Sequence, residues 1–287
     1  MEAGERMKVR MTADSTCDLS PELVRKYDIG IVPLSVIIDG EVFHDGVDVT
    51  PRDIFRASEA GKAVRTAAVN TYEYREFFTE QLKNCDQIVH VCLSSEFSTC
   101  YNDAVEAARH FDHVYVVDSR NLSTGSGLLV LEGAAMAAKG MEGKEIAETL
   151  ESRTGLVDAS FVVHTVDYLR RGGRCTGIEA LGARMLHIRP SILVQDGKMR
   201  PGEKYRGRYE HYLKHYIADT LADDSSIDFS RVFITHSPSE EGLVRFAIDT
   251  VKSYGLFREV IETMAGCTIC THCGPETLGI LFMRKAK

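Results

Sequence analysis

At 287 residues, 44% of them hydrophobic, the chain is long enough for two domains of ordinary size with a core in each. Its net charge of −8 argues against general nucleic-acid binding, and no apolar run is long enough to span a bilayer, the longest, Gly127 to Ala138, being short and interrupted by Glu132. The charged stretch Met1 to Lys8 lacks the form of a secretory signal, so a cytoplasmic location is expected, in keeping with eight cysteines outside any small disulfide scaffold.

Lys8 to Ala13 reads as a short strand closing on Asp14-Ser15-Thr16. Ser20-Pro21 then supplies an N-cap and a proline at the first helical position, the opening of a βαβ unit. Ile29 to Ile38 is expected as one long apolar strand that turns at Asp39-Gly40 and returns through Glu41 to His44, a hairpin element near residues 30–48. Thr50-Pro51 caps a helix ending near Gly61, and Val64-Arg65-Thr66 falls in a loop. Thr71 opens an amphipathic helix to Leu82 with Tyr74, Phe77, Phe78 and Leu82 on one face. Gln87 to Leu93 has the β-branched character of a buried parallel strand, followed by Ser94 to Thr99, and His113 to Val117 repeats the pattern before Asp118-Ser119. Helices are expected at about 123–139 and 143–153. Open α/β sheets bind ligands beyond the carboxyl ends of their strands, and three such ends here carry hydroxyl and carboxyl groups: Asp14-Ser15-Thr16, Ser94 to Thr99, and Asp118-Ser119.

Ala159 to Val166 is a fresh strand, taken as the start of a second unit, which divides the chain into residues 1–158 and 159–287. Beyond it, Arg170-Arg171-Gly172-Gly173-Arg174 has the glycine spacing of neither a phosphate loop nor a dinucleotide fingerprint. A helix to about Leu186, a strand from Ile188 to Val194 and a turn at Asp196-Gly197 follow. The remainder alternates strands (Val232 to Thr235, Glu259 to Met264, Leu278 to Met283) with helices near 209–222 and 239–253. Between Arg170 and Arg208, ten Lys/Arg face three acids; that local +7 leaves −15 for the rest of a chain of net −8. The excess nominates a docking surface for an acidic protein, a phosphate-bearing ligand or an anionic membrane, against the commoner fate of a solvated basic face.

Chemistry is densest at Cys267-Thr268-Ile269-Cys270-Thr271-His272-Cys273-Gly274-Pro275, expected as a sharp connection between two strands. The three cysteines fall in a register used by iron–sulfur ligation, but Thr277 stands where a fourth would, and free cysteine is more often core. His272 is preferred as a hydrogen-bond donor to an anion, with Gly274 allowing close backbone approach. A structural histidine and a metal ligand stay open.

Taken together, Ala13-Asp14-Ser15-Thr16-Cys17-Asp18-Leu19, Ile31-Val32-Pro33-Leu34, Leu93 to Ser98, Val117-Asp118-Ser119, Gly172-Gly173-Arg174 and Thr271 to Pro275 resemble the DegV family. The resemblance implies a two-domain α/β fold, an N-terminal α/β domain with a parallel sheet and a C-terminal one with a mixed sheet. It further implies a bound long-chain fatty acid, with no cofactor and no metal, its acyl chain buried and its carboxylate near the domain junction. The protein would then have no catalysis of its own. A separate fatty acid kinase would phosphorylate the carboxylate for phospholipid synthesis, with a membrane surface as a transient partner. By the same resemblance Thr66, Ser98 and His272 are the carboxylate ligands, Arg174, Ser95 and Asp14 a supporting polar network, and Arg206 the docking cation. The chain departs from the family pattern after each anchor: Ala67-Ala68-Val69 follows Thr66, Thr99-Cys100 follows Ser98, and Cys273 follows His272. Two other classes of function remain: an acyl hydrolase or transferase using Ser98 or Cys273 with His272, and a metal or redox sensor built on Cys267, Cys270 and Cys273.

Overall fold

A computed structural model describes residues 7–178 and 188–286. Four strands, β1 (Val9–Asp14), β2 (Gly30–Val32), β6 (Gln87–Cys92) and β7 (Val114–Asp118), form a parallel sheet in the order β2-β1-β6-β7. Parallel strands need crossovers, and the sequence supplies capped helices for them. In α1 (Pro21–Lys26), Ser20 Oγ accepts from Leu23 N at 3.3 Å. α3 (Thr71–Gln81) opens at Thr71 as expected, capped by Asn70: Asn70 Oδ1 accepts from Glu73 N at 3.1 Å and Glu73 Oε2 accepts from Asn70 N at 2.8 Å. Tyr74 and Phe78 are buried on the predicted face.

The expected strand from Ile29 to Ile38 is two strands in different sheets. Pro33 cannot donate to a ladder, so pairing stops there. β3 (Ser35–Ile38) resumes in a small antiparallel sheet with β4 (Glu41–His44) and β5 (Val64–Ala67), in the order β4-β3-β5. The turn between β3 and β4 has positive φ at both Asp39 (50°) and Gly40 (90°), as the Asp-Gly signal requires. Val64-Arg65-Thr66 is therefore an edge strand, with Thr66 paired opposite Val36. Between β3 and β5, α2 (Pro51–Glu59) begins at Thr50, whose N–H donates to Asp53 at 3.1 Å.

From Val157 onward the chain builds a six-stranded mixed sheet, β10-β9-β8-β13-β11-β12. Its strands are β8 (Val157–Val162), β9 (Ile188–Gln195), β10 (Lys198–Arg206), β11 (Ile227–His236), β12 (Glu259–Met264) and β13 (Leu278–Arg284). β8 ends at Val162 instead of Val166, and α7 (Asp167–Gly172), absent from the sequence reading, follows; the helix expected to reach Leu186 lies mostly outside the described residues. α8 (Tyr209–Thr220) and α9 (Glu241–Ser253) cover one face with Leu213, Ile217 and Ala247. The other face meets α5 (Thr124–Ala138), which also packs on the parallel sheet together with α6 (Gly143–Arg153). A single apolar cluster runs from Met11 and Val89 through Leu129 to Phe161 and Leu281. The apolar run 127–138 is thus a core helix between two sheets. Among the described residues no helix is long and apolar enough to cross a membrane.

Candidate functional site

The segment 267–275 connects β12 to β13, as expected from the sequence, but does so through a short helix, α10 (Cys267–Cys273), absent from the sequence reading. Its start is held from the opposite half of the chain. Asp18 Oδ1 accepts from Gly266 N at 2.8 Å, and Asp45 accepts from Cys267 N (2.6 Å) and Thr268 N (2.9 Å), so the free N–H groups at the helix start are met by two buried carboxyl groups. Ser123 Oγ donates to Asp18 Oδ2 at 2.5 Å.

Helical spacing carries Cys267, Cys270 and Cys273 inward together. Cys267 and Cys270 pack with Val36, Ile54 and Phe55, and Cys273 enters the main core. Burial pushes all three thiols up, Cys273 to about 12, which disfavours the thiolate that metal binding or nucleophilic attack needs. All eight cysteines are buried. Among the described residues, the group with potential metal-ligand atoms closest together is Asp14, His90 and Cys92, within 4.8 Å. Its carboxyl and imidazole are already engaged: Tyr74 Oη donates to Asp14 at 2.6 Å, His90 Nε2 lies 3.2 Å from Asp14, and Thr12 Oγ1 lies 2.9 Å from His90 Nδ1.

The same helix turns His272 to the other side, where Thr66 Oγ1 lies 2.8 Å from His272 Nε2 across a sequence distance of 206 residues. His272 Nδ1 is buried without a partner among the described residues, and it lies against Gly172, where a Cβ would come within 2.4 Å of it. A buried N–H without an acceptor is the costlier orphan, so we assign the proton to Nε2. The imidazole then donates to Thr66 Oγ1 and leaves the Thr66 hydroxyl hydrogen free. Burial, and secondarily the Arg174 charge, lowers the His272 pKa to about 4, so the ring is neutral at neutral pH.

Thr66, Ser98, His272 and Arg174 line one cavity of about 250 Å³. Ser98 comes from the loop after β6; its Oγ donates to Cys100 Sγ at 3.1 Å, a weak acceptor that a better one can replace. Arg174 is exposed and donates to Phe97 O at 3.3 Å and Gly172 O at 2.7 Å, beside the loop that bears Ser98. Leu122, Ile269 and Cys273 line both this cavity and a smaller, apolar one of about 30 Å³ between α10 and the six-stranded sheet, beside Phe161 and Leu281. The two cavities thus share apolar walls, and the Thr66 and Ser98 hydroxyls line only the larger.

Asp14 and Ser95 do not line that cavity. Asp14 accepts from Leu93 N at 2.9 Å, and Asp118 accepts from Ser95 N (3.1 Å) and Ser95 Oγ (2.6 Å), so both hold the backbone of the loop that carries Ser98. Arg206 is exposed at the end of β10 and is likewise not a lining residue. A larger cavity, about 700 Å³, lies by β9, β10 and α8, but its polar groups bond to one another, as in Ser160–Tyr216 (2.9 Å), Tyr205–Asp219 (2.9 Å) and Arg284–Asp158 (2.7 Å).

A family model described as "Uncharacterised protein, DegV family" matches residues 8–285. The chain belongs to the DegV family. A curated relative in Thermotoga maritima named fatty acid-binding protein is 31% identical over 282 residues, 95% of this chain and 96% of the relative. A DegV domain-containing protein of Caldanaerobacter subterraneus is 31% identical over 284 residues, covering 97% of this chain and 99% of its own. Among solved structures, a DegV family protein from Thermus thermophilus described for its fatty-acid binding superposes with a TM-score of 0.86 at 26% identity, covering 97% of this chain and 100% of that one. The DegV motifs point to His272, Ser98 and Arg174. They do not single out Asp18, Asp45 or Gly172 for a role: Asp18 and Gly172 lie inside motif segments without a function attached, and Asp45 lies in none of them.

Proposed function

We propose that the protein binds a long-chain fatty acid and presents its carboxylate to a separate kinase, which forms the acyl phosphate for phospholipid synthesis. We place the site at the junction of two units, residues 1–158 and 159–287. The observation that carries this reading is that Thr66, Ser98 and His272, far apart in sequence, line one cavity that shares apolar walls with a second. The two cavities together approach the lower end of the roughly 300–1,000 Å³ typical of small-molecule sites.

The chemistry divides by region. Each methylene buried against the apolar walls contributes about 0.8 kcal/mol, so the tail supplies affinity. A desolvated carboxylate needs donors, and the Thr66 and Ser98 hydroxyls provide them while His272, neutral, orients Thr66. Arg174 brings positive charge to the same cavity. The geometry offers little to a hydrolase: Ser98 bonds to a thiol instead of an imidazole, and His272 Nδ1 has no acid to orient it among the described residues.

Protein purified from a bacterial host is expected to carry close to one equivalent of fatty acid, measured by gas chromatography of extracted lipid. Recovery below about a tenth of an equivalent, with no uptake of added fatty acid, would overturn the reading.

A further inference from the structure

Thr268 stands one helical turn before His272 on α10, lines the same cavity and is 5% exposed. Its N–H is held by Asp45, whereas its hydroxyl is buried without a hydrogen-bond partner among the described residues. A helical threonine commonly returns its hydroxyl to the carbonyl four residues back, as Thr271 does to Cys267 O at 2.8 Å. For Thr268 that position is Met264, in β12 and outside the helix, so α10 offers its hydroxyl no acceptor. A buried hydroxyl left unsatisfied is unfavourable unless something entering the cavity bonds to it.

Resting on the fatty-acid reading of this cavity, we propose that Thr268 is a further ligand to the carboxylate, donating the hydrogen bond its own helix cannot accept. An ionised carboxylate has about four acceptor positions, more than the Thr66 and Ser98 hydroxyls fill. Residues four apart on a helix rise by about 6 Å, which leaves room for a carboxylate bonded at about 2.7 Å on either side, between Thr268 and the Thr66 hydroxyl held at His272. The additional donor selects for an ionised head group over a neutral one on the same chain.

The test uses full-length, delipidated protein titrated with palmitate and, separately, with hexadecanol, which keeps the chain and lacks the carboxylate. Thr268→Val preserves shape and removes the hydroxyl. It is expected to weaken palmitate binding roughly 5- to 100-fold, to leave hexadecanol within about threefold, and to leave the unliganded protein at least as heat-stable as the parent. Thr268→Ser is expected to keep palmitate binding within about threefold. Unchanged palmitate binding by Thr268→Val overturns the proposal. So does an equal loss for palmitate and hexadecanol, which would assign Thr268 to packing. Failure of the parent to bind either ligand instead overturns the fatty-acid reading itself, and Thr268 with it.

Discussion

At the scale of single residues, the site depends on how His272 is seated. Gly172 has an unstrained backbone, so the only demand on it is spatial: a Cβ there would meet His272 Nδ1 at 2.4 Å. Gly172→Ala should therefore displace the imidazole from Thr66 and weaken fatty-acid binding by about 1 kcal/mol or more while leaving the far-ultraviolet circular dichroism unchanged; an unaltered affinity would show that the ring moves freely. The low His272 pKa gives a second prediction. The folded protein holds this proton less tightly than the unfolded chain between about pH 4 and the ordinary 6.5, so the residue's contribution to stability is complete above that window and is lost as pH falls through it. Denaturant titrations of parent and His272→Gln should differ by an amount that grows from pH 4 to 6.5 and is level above 7. That Thr66, Ser98 and His272 belong together was legible through the family resemblance, and all three line one cavity. The neutral ring, its direct bond to Thr66 and its glycine seat were not, because burial and the approach of α7 are tertiary facts.

At the scale of elements, α10 shows why a local reading failed. Seven residues containing three cysteines, two threonines and an isoleucine have modest helix propensity, and a helix that short is marginal alone. It forms because Asp45 and Asp18, 222 and 248 residues away, accept from its first N–H groups, a signal no sequence window contains. β5 was missed for a related reason: Val64 to Ala67 is a strand only because β3 lies beside it. The two carboxyl groups should respond differently to the same change. Asp45→Asn leaves one acceptor for two N–H groups and turns an amide N–H toward a donor, so it should lower unfolding free energy by about 1–3 kcal/mol. Burial above all, with the neighbouring Asp45 adding to it, raises the Asp18 pKa to about 8. Asn there keeps the acceptor for Gly266 N and can donate to Ser123 Oγ, so Asp18→Asn should be the milder change. The folded state binds the Asp18 proton more tightly than the unfolded chain does, so this contribution is present below the ordinary carboxyl range and is lost as pH rises toward 8. Asp18→Asn should accordingly gain on the parent in urea titrations between pH 4 and 8. A constant difference would mean that Asp18 does not hold its proton.

At the scale of the whole molecule, the alternation of strands and helices made the α/β class legible, and of the three hydroxyl-bearing strand ends one, Ser94 to Thr99, contributes to the cavity that holds His272. What periodicity could not give was α5 as a helix shared by two sheets, since a run apolar on every side carries no direction. The uneven charge was legible too, and it separates holding a ligand from handing it over. Arg206 ends β10, paired in the sheet opposite Ile188, exposed and absent from the cavity lining. A cation so placed is screened by solvent from a buried acyl chain, whereas an approaching acidic protein meets it directly; such rim charges act on association rate and salt dependence. In the proposed partnership, Arg206→Ala should leave fatty-acid affinity within about twofold, less than roughly 0.5 kcal/mol, while markedly slowing acyl-phosphate formation by the cognate kinase. The slowing should be greatest at low ionic strength, where the parent's charge attracts most strongly, and should narrow as salt is added. Both quantities are to be measured on one preparation, by titration and by phosphoryl transfer across a salt series. A large loss of fatty-acid binding would place Arg206 in the binding machinery, and a phosphorylation rate equal to the parent's at every salt concentration would remove this surface from kinase docking.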